Sequence, residues 1–173
     1  MKLTKTNKLF YIYLSLFFML FFTACNASLF SYLGATVDME NRIALLEGKS
    51  HKGSWKTRDL SVNYNYKMDA NVLQLSGQIE FDNQIHKFAS LDHFSLWVYF
   101  LDEEGKVIGE KAIAVAGYRR MLKNISFDHN LQMPSNANGI AFGYDGTASD
   151  GGGSVRGNRG GETSWDFWKV PRR

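Results

Sequence analysis

Between residues 60 and 81 the chain alternates apolar and polar side chains in two consecutive runs, and no other feature limits its folding so strongly. Leu60, Val62, Tyr64, Tyr66 and Met68 are separated by Ser61, Asn63, Asn65 and Lys67. After Asp69-Ala70-Asn71, a turn by composition, Leu73, Leu75, Gly77, Ile79 and Phe81 are separated by Gln74, Ser76, Gln78 and Glu80. A period of two puts each set on its own face of a strand, whereas a helix would scatter both sets around its circumference. The two runs predict an antiparallel hairpin with one face on a core and the other in water.

A third run, residues 93–101, behaves differently: Phe94, Leu96, Val98 and Phe100 fall on one face and Trp97, Tyr99 and Leu101 on the other. Apolar residues on both faces predict a central strand covered on both sides, with the flanking tether or tail as a cover. The acidic turn Asp102-Glu103-Glu104-Gly105-Lys106 leads into Val107-Ile108-Gly109 and residues 112–115, a second hairpin in which Gly105 is free to take positive φ. Residues 124–127 and 139–144 read as two further short strands, separated by a loop with Pro134 and Asn138. No long amphipathic helix interrupts the series. The expected fold is therefore all-β, a single antiparallel immunoglobulin-like β-sandwich over residues 54–144. Residues 25–53 read as a tether with one or two short helical turns. Residues 145–161 contain seven glycines and read as a flexible loop. Residues 162–173 come next as an aromatic segment able to close the sheet.

The net charge of +3 comes from 20 Lys and Arg against 17 Asp and Glu. Lys2, Lys5 and Lys8 supply the whole excess, and the chain from Cys25 onward is formally neutral. A uniform basic field of the kind that holds nucleic acid is excluded for that remainder. The three lysines precede an apolar run over residues 9–22, broken only by Ser15. Its 14 residues would reach about 21 Å as a helix, short of a hydrocarbon core of about 30 Å. Residues 1–24 thus have the proportions of a cleaved export signal.

That signal ends in Phe22-Thr23-Ala24-Cys25, which resembles the lipobox of bacterial lipoproteins, with Phe22 where the usual residue is Leu. The resemblance implies cleavage between Ala24 and Cys25 and acylation of the Cys25 sulfur and amine, so that lipid ties the protein to a membrane. Cys25 is the only cysteine and has no partner in the chain for a disulfide. In such lipoproteins an Asp after the cysteine often marks retention in the inner membrane; Asn26 at that place implies the outer membrane. A second resemblance covers residues 72–144. Leu75-Ser-Gly77-Gln-Ile79, the run from Phe94 to Asp102 with Gly105 and Ile108-Gly109, Ile125-Ser-Phe127 and Met133-Pro134 are similar to the FxLYD type of immunoglobulin-like domain of prokaryotic surface proteins. That family implies a fold and an extracytoplasmic setting and brings no catalytic residues.

Chemistry-bearing residues are dispersed. His51, His86, His93 and His129 lack zinc-site spacing, although His86, His93 and Asp92 are near one another in sequence. Asp102, Glu103 and Glu104, with Asp92 or Asp128, offer oxygen ligands for Ca²⁺, but three adjacent acids read first as a solvated hairpin tip. No Gly-x-Ser-x-Gly elbow is present. Arg156-Gly-Asn-Arg159-Gly-Gly lacks the interleaved aromatics of a nucleic-acid segment and the Gly-Lys-Ser/Thr of a phosphate loop. What remains is aromatic. Trp97, Trp165, Phe167 and Trp168, with Arg172 and Arg173 beside them, form the candidate binding surface; alternatively Trp165 and Phe167 fill the sandwich edge and leave Trp168 outside. The expected function is a non-enzymatic, lipid-anchored envelope module that engages an envelope protein and uses no cofactor, metal or nucleic acid. The alternatives are a sandwich that binds a small ligand or glycan through its tryptophans, and an envelope hydrolase.

Overall fold

The computed structural model describes residues 31–120, 124–150 and 164–173, which belong, Ser31 apart, to the compact unit Tyr32–Arg173. Its strands are β1 (Ile43–Ala44), β2 (His51–Lys56), β3 (Leu60–Asp69), β4 (Val72–Phe81), β5 (Ser90–Leu101), β6 (Val107–Ala116), β7 (Arg119–Arg120), β8 (Asn124–Gln132), β9 (Gly139–Ser149) and β10 (Ser164–Lys169). Two antiparallel sheets result. The first runs β2-β3-β4-β8; the second runs β1-β9-β5-β6, with β10 also on β9 and β7 on β5. β3, β4 and β8 stand where strands A, B and E stand in an immunoglobulin-like sandwich, and β6, β5, β9 and β10 stand where C′, C, F and G stand. β2 is an added edge strand next to A.

The alternating runs form the hairpin they predict. β3 and β4 pair without a shift from Leu60↔Phe81 to Asp69↔Val72. Leu60, Val62, Tyr66, Leu73, Leu75, Ile79 and Phe81 enter the core, where they meet Phe94, Leu96, Val98 and Phe100 of β5 and Ile140, Phe142 and Tyr144 of β9. The other face of β5 is covered as its composition demands. Ala35 and Val37 pack with Tyr99, Leu101, Val107 and Ala141 in a second cluster, joined by Tyr32 and Trp97. After a turn at Gly34, residues 35–37 lie there as a strap bonded on both sides. Gly34 N donates to Val107 O at 2.8 Å, Val107 N to Ala35 O at 2.8 Å, and Thr36 N to Arg172 O at 2.8 Å.

Two expectations are corrected and a third is narrowed. The tether was expected to reach residue 53, yet β2 begins at His51. Its alternation is broken in the sequence by Gly53, and the cross-strand partner Tyr64 fills the vacant place: a Cβ on Gly53 would lie within 3 Å of the Tyr64 ring. The one or two short helical turns expected of the tether reduce, over its described part, to a single 3-10 turn, Met39–Asn41, and the chain then enters β1. The glycine-rich loop was expected to start at residue 145, but β9 continues to Ser149. Gly146 is not a flexibility signal there. A Cβ on it would stand 2.5 Å from the Phe167 ring, so its bareness makes room for the aromatic segment to pair. Residues 151–161 of that loop, with Arg156 and Arg159, lie outside the described residues.

Candidate functional site

β10 divides its aromatic residues between two environments. Pairing runs from Ser164↔Ser149 to Lys169↔Tyr144, and the pleat sends Trp165 and Phe167 inward and Trp168 outward. Phe167 is 1% exposed, with its ring 6.1 Å from Phe81, 6.2 Å from Phe94 and 6.0 Å from Tyr144. Trp165 is half-buried against the same core, under the Arg58 guanidinium at 5.8 Å. Trp97 is half-buried on the outer face of β5, against the strap cluster. Trp168 is 65% exposed. The structure therefore does not gather the four aromatic candidates into one surface. It places Phe167 in the core, Trp165 partly buried against it, Trp97 partly buried against the strap cluster and Trp168 in solvent.

Trp168 borders an opening that the strand pattern creates. On the outer side of β9, β10 stops opposite Tyr144 and β1 starts opposite Ile140. Among the described residues no strand pairs with 141–143 on that side. Beside the gap lies a cavity of about 270 Å³ that Phe142, otherwise buried in the core, helps to line. Trp168, Lys169, Pro171 and Arg172 of the tail and Val37, Asp38 and Asn41 of the N-terminal strap region also line it. Across it Arg172 Nη2 pairs with Asp38 Oδ2 at 3.3 Å. Asn41 Oδ1 accepts from the indole Nε1 of Trp55 at 3.2 Å. That donor fixes the amide's orientation, because only the oxygen can accept, and leaves Nδ2 without a partner among the described residues.

The ionisable groups elsewhere are engaged in ways that do not assemble chemistry. His93 Nε2 meets Asp145 Oδ2 at 2.6 Å, and Ser95 Oγ lies 3.5 Å from the same Nε2. A Ser–His–Asp relay needs serine on one ring nitrogen and carboxylate on the other; here both share one, on a half-exposed strand face. Asp102 Oδ1 accepts from the backbone N–H groups of Glu104 (3.0 Å) and Lys106 (2.8 Å), so this carboxylate is used to build its own turn. The Glu104 carboxylate, 2.6 Å from Lys106 Nζ, holds that ammonium above its ordinary pKa. Asp92 Oδ1 accepts from Ser149 Oγ at 2.8 Å and Ser90 Oγ at 3.2 Å. His129 Nε2 donates to Ile113 O at 2.6 Å, and His86 meets the Phe81 ring edge-on. Among the described residues no three His, Cys, Asp or Glu side chains converge as metal ligands.

One polar centre was not anticipated from the sequence. Asp59, in the turn between β2 and β3, is 3% exposed and accepts from Tyr144 Oη at 2.8 Å and from Arg58 Nε at 3.1 Å. Burial, reinforced by the bond to Asp59, holds the Tyr144 hydroxyl well above the ordinary phenol range. Burial does the same to Tyr99, with Tyr32, Glu110 and Asp145 adding to it.

Phe22, Thr23, Ala24, Cys25 and Asn26, which carry the export and lipidation reading, lie outside the described residues. Among the described residues no helix is long and apolar enough to cross a membrane. No protein-family model, curated protein or solved structure matches the chain.

Proposed function

We propose that the chain is an outer-membrane bacterial lipoprotein, anchored through lipid on Cys25 after removal of residues 1–24, whose FxLYD-type sandwich acts by binding an envelope component rather than by catalysis. The anchor rests on the short apolar run and the Phe22-Thr23-Ala24-Cys25 motif that ends it. Two acyl signals suffice for stable attachment where one gives only reversible binding. The binding half rests on one observation, the exposure of Trp168 at the mouth of the gap in the sheet edge. Phe167 already supplies the core contact that β10 needs, so the Trp168 indole in solvent serves no packing purpose that the fold requires. A small or glycan ligand is favoured over a broad protein interface by the cavity beside that indole. The alternative of a hydrolase finds no support in the His93–Asp145 pair, for the reason of its shared nitrogen.

The test of the anchor is metabolic labelling with an alkyne analogue of palmitate in cells expressing the full chain or Cys25→Ser. The wild-type chain takes up label and sediments with outer membranes; Cys25→Ser loses both. An unlabelled wild-type chain, or unaltered membrane association of Cys25→Ser, overturns the anchor.

A further inference from the structure

We infer that the gap between β10 and β1 is a saccharide subsite that holds one pyranose ring of a glycan, stacked on Trp168 and hydrogen-bonded by Asn41 and Asp38. The inference deepens the proposed binding role and rests on it, but not on the lipid anchor.

Size comes first. The cavity, about 270 Å³, has the space of roughly nine waters at about 30 Å³ each. That accommodates one sugar ring, and the open surface beyond Asp38 and Arg172, lined by Met39 and Glu40, leaves room for the rest of a glycan chain. The gap in the edge spans only residues 141–143, so strand addition, which needs a longer run of free backbone, is disfavoured.

Chemistry comes second. The lining is divided: Trp168, Pro171, Val37 and Phe142 are apolar, whereas Asn41, Asp38 and Arg172 carry donors and acceptors. A pyranose matches such a division, because its C–H face is apolar and its rim is a ring of hydroxyls. Asn41 Nδ2 is a donor held in place by Trp55 and, among the described residues, still unused. Asp38 has lone pairs beyond the one facing Arg172 and accepts from a hydroxyl. A hydroxyl both donates and accepts, so one vicinal diol satisfies both groups at once. Charge comes third. Asp38 and Arg172 offset each other, and the lining makes no demand for a phosphate or other dianion. Lys169 adds one further cation to the lining, which allows a uronic acid alongside neutral sugars.

The test uses the full chain in a zwitterionic detergent that has no sugar headgroup. Chitotriose, maltotriose, cellotriose and trigalacturonate are titrated while the indole N–H resonance of Trp168 is followed by NMR. At least one trisaccharide is expected to shift that resonance with a Kd of about 0.1 to 10 mM, the range of a few hydrogen bonds and one stacking contact. Trp168→Ala is expected to weaken binding at least tenfold. Asn41→Asp keeps an oxygen for Trp55 but replaces the free donor with an acceptor, and is expected to weaken binding about threefold or more. Val115→Thr, exposed on β6 at the opposite edge of the sheet, is expected to change nothing. Folding of each variant is checked by its near-ultraviolet dichroism. No shift of the Trp168 resonance at about 10 mM of any trisaccharide, or binding that survives Trp168→Ala in a folded variant, overturns the subsite. If Trp168→Ala instead abolishes a direct contact with an envelope protein while no sugar binds, the saccharide assignment fails and the wider binding role stands.

Discussion

The hydroxyl of Tyr144 donates to Oδ2 of Asp59 at 2.8 Å, joining the turn between β2 and β3 in one sheet to β9 in the middle of the other. Asp59 is a buried carboxylate whose other oxygen takes the Arg58 Nε–H at 3.1 Å. A buried charge is tolerated where its lone pairs are filled, and removing a donor costs more than the bond itself was worth.

Tyr144→Phe should therefore cost about 2 kcal/mol, the usual loss for a hydrogen bond to a charged group. It keeps the ring contacts with Trp55 and Phe167, so the loss reports the hydroxyl alone. Urea denaturation is expected to show a lower midpoint at an unchanged slope, as befits a stability change without a change in exposed area. A midpoint equal to that of the wild-type chain would show that the hydroxyl, in contact with Asp59 and Thr57, contributes nothing net.

Alkaline pH should unfold the protein through the same ring and through Tyr99. Both phenols have folded-state pKa values raised above the ordinary 10.0, chiefly by burial. A group whose folded pKa is raised contributes stability that is fully present below the unfolded pKa and is lost as pH rises toward the folded value. Stability should thus be flat in this respect up to about pH 9 and fall above about pH 10. Tyr144→Phe and Tyr99→Phe remove the titrating groups. Each should start from a lower stability at pH 8 and lose less between about pH 9 and 11 than the wild-type chain loses. Urea midpoints across that interval decide the matter, and parallel wild-type and variant curves would assign the alkaline loss to other groups.

The hairpin of β3 and β4 was legible because a period of two needs only neighbouring residues to be read. The cover on the second face of β5 was legible for a similar reason: Trp97, Tyr99 and Leu101 required something above them, and the strap at Ala35 and Val37 supplies it. What the sequence concealed depends on partners distant in the chain. Gly53 hid β2 because the ring that completes its apolar face belongs to Tyr64. Asp59 sits in a Lys-Thr-Arg-Asp stretch that reads as a solvated turn, and only the approach of Tyr144, 85 residues later, makes it a buried centre. The gap beside Trp168 exists because the end of β10 and the start of β1 leave the three residues 141–143 of β9 between them. Its one sequence signal is the phase of the tail: the alternation that sends Trp165 and Phe167 inward leaves a large aromatic, Trp168, in an outward position.

Ala70→Gly should stabilise the protein. Ala70 closes the hairpin with φ +49°, a left-handed conformation that costs a residue with a Cβ about 1 to 2 kcal/mol. Glycine removes that cost and adds about 0.5 to 1 kcal/mol of unfolded-state entropy to be overcome. The balance is a gain of about 0.5 kcal/mol, read as a higher urea midpoint. A lower midpoint would show that the turn does not hold Ala70 under strain.

Gly146→Ala should be destabilising in a way that only Phe167 explains. A methyl at that position would lie 2.5 Å from the Phe167 ring tip, 2.9 Å from a second ring carbon and 3.0 Å from the His93 carbonyl oxygen. The ring has no space to retreat, because Phe81, Phe94 and Tyr144 surround it within 6.2 Å centroid to centroid. Overpacking of this kind costs about 1 to 3 kcal/mol. Phe167→Leu alone should also destabilise, by emptying part of that aromatic cluster. In the double variant the smaller side chain admits the methyl, so the combined loss should fall short of the sum of the single losses by about 1 kcal/mol. Strict additivity in this cycle would mean that the alanine clashes with the His93 backbone alone. In that case Gly146 would be required by the ladder between β5 and β9, and not by the aromatic segment that closes the sheet.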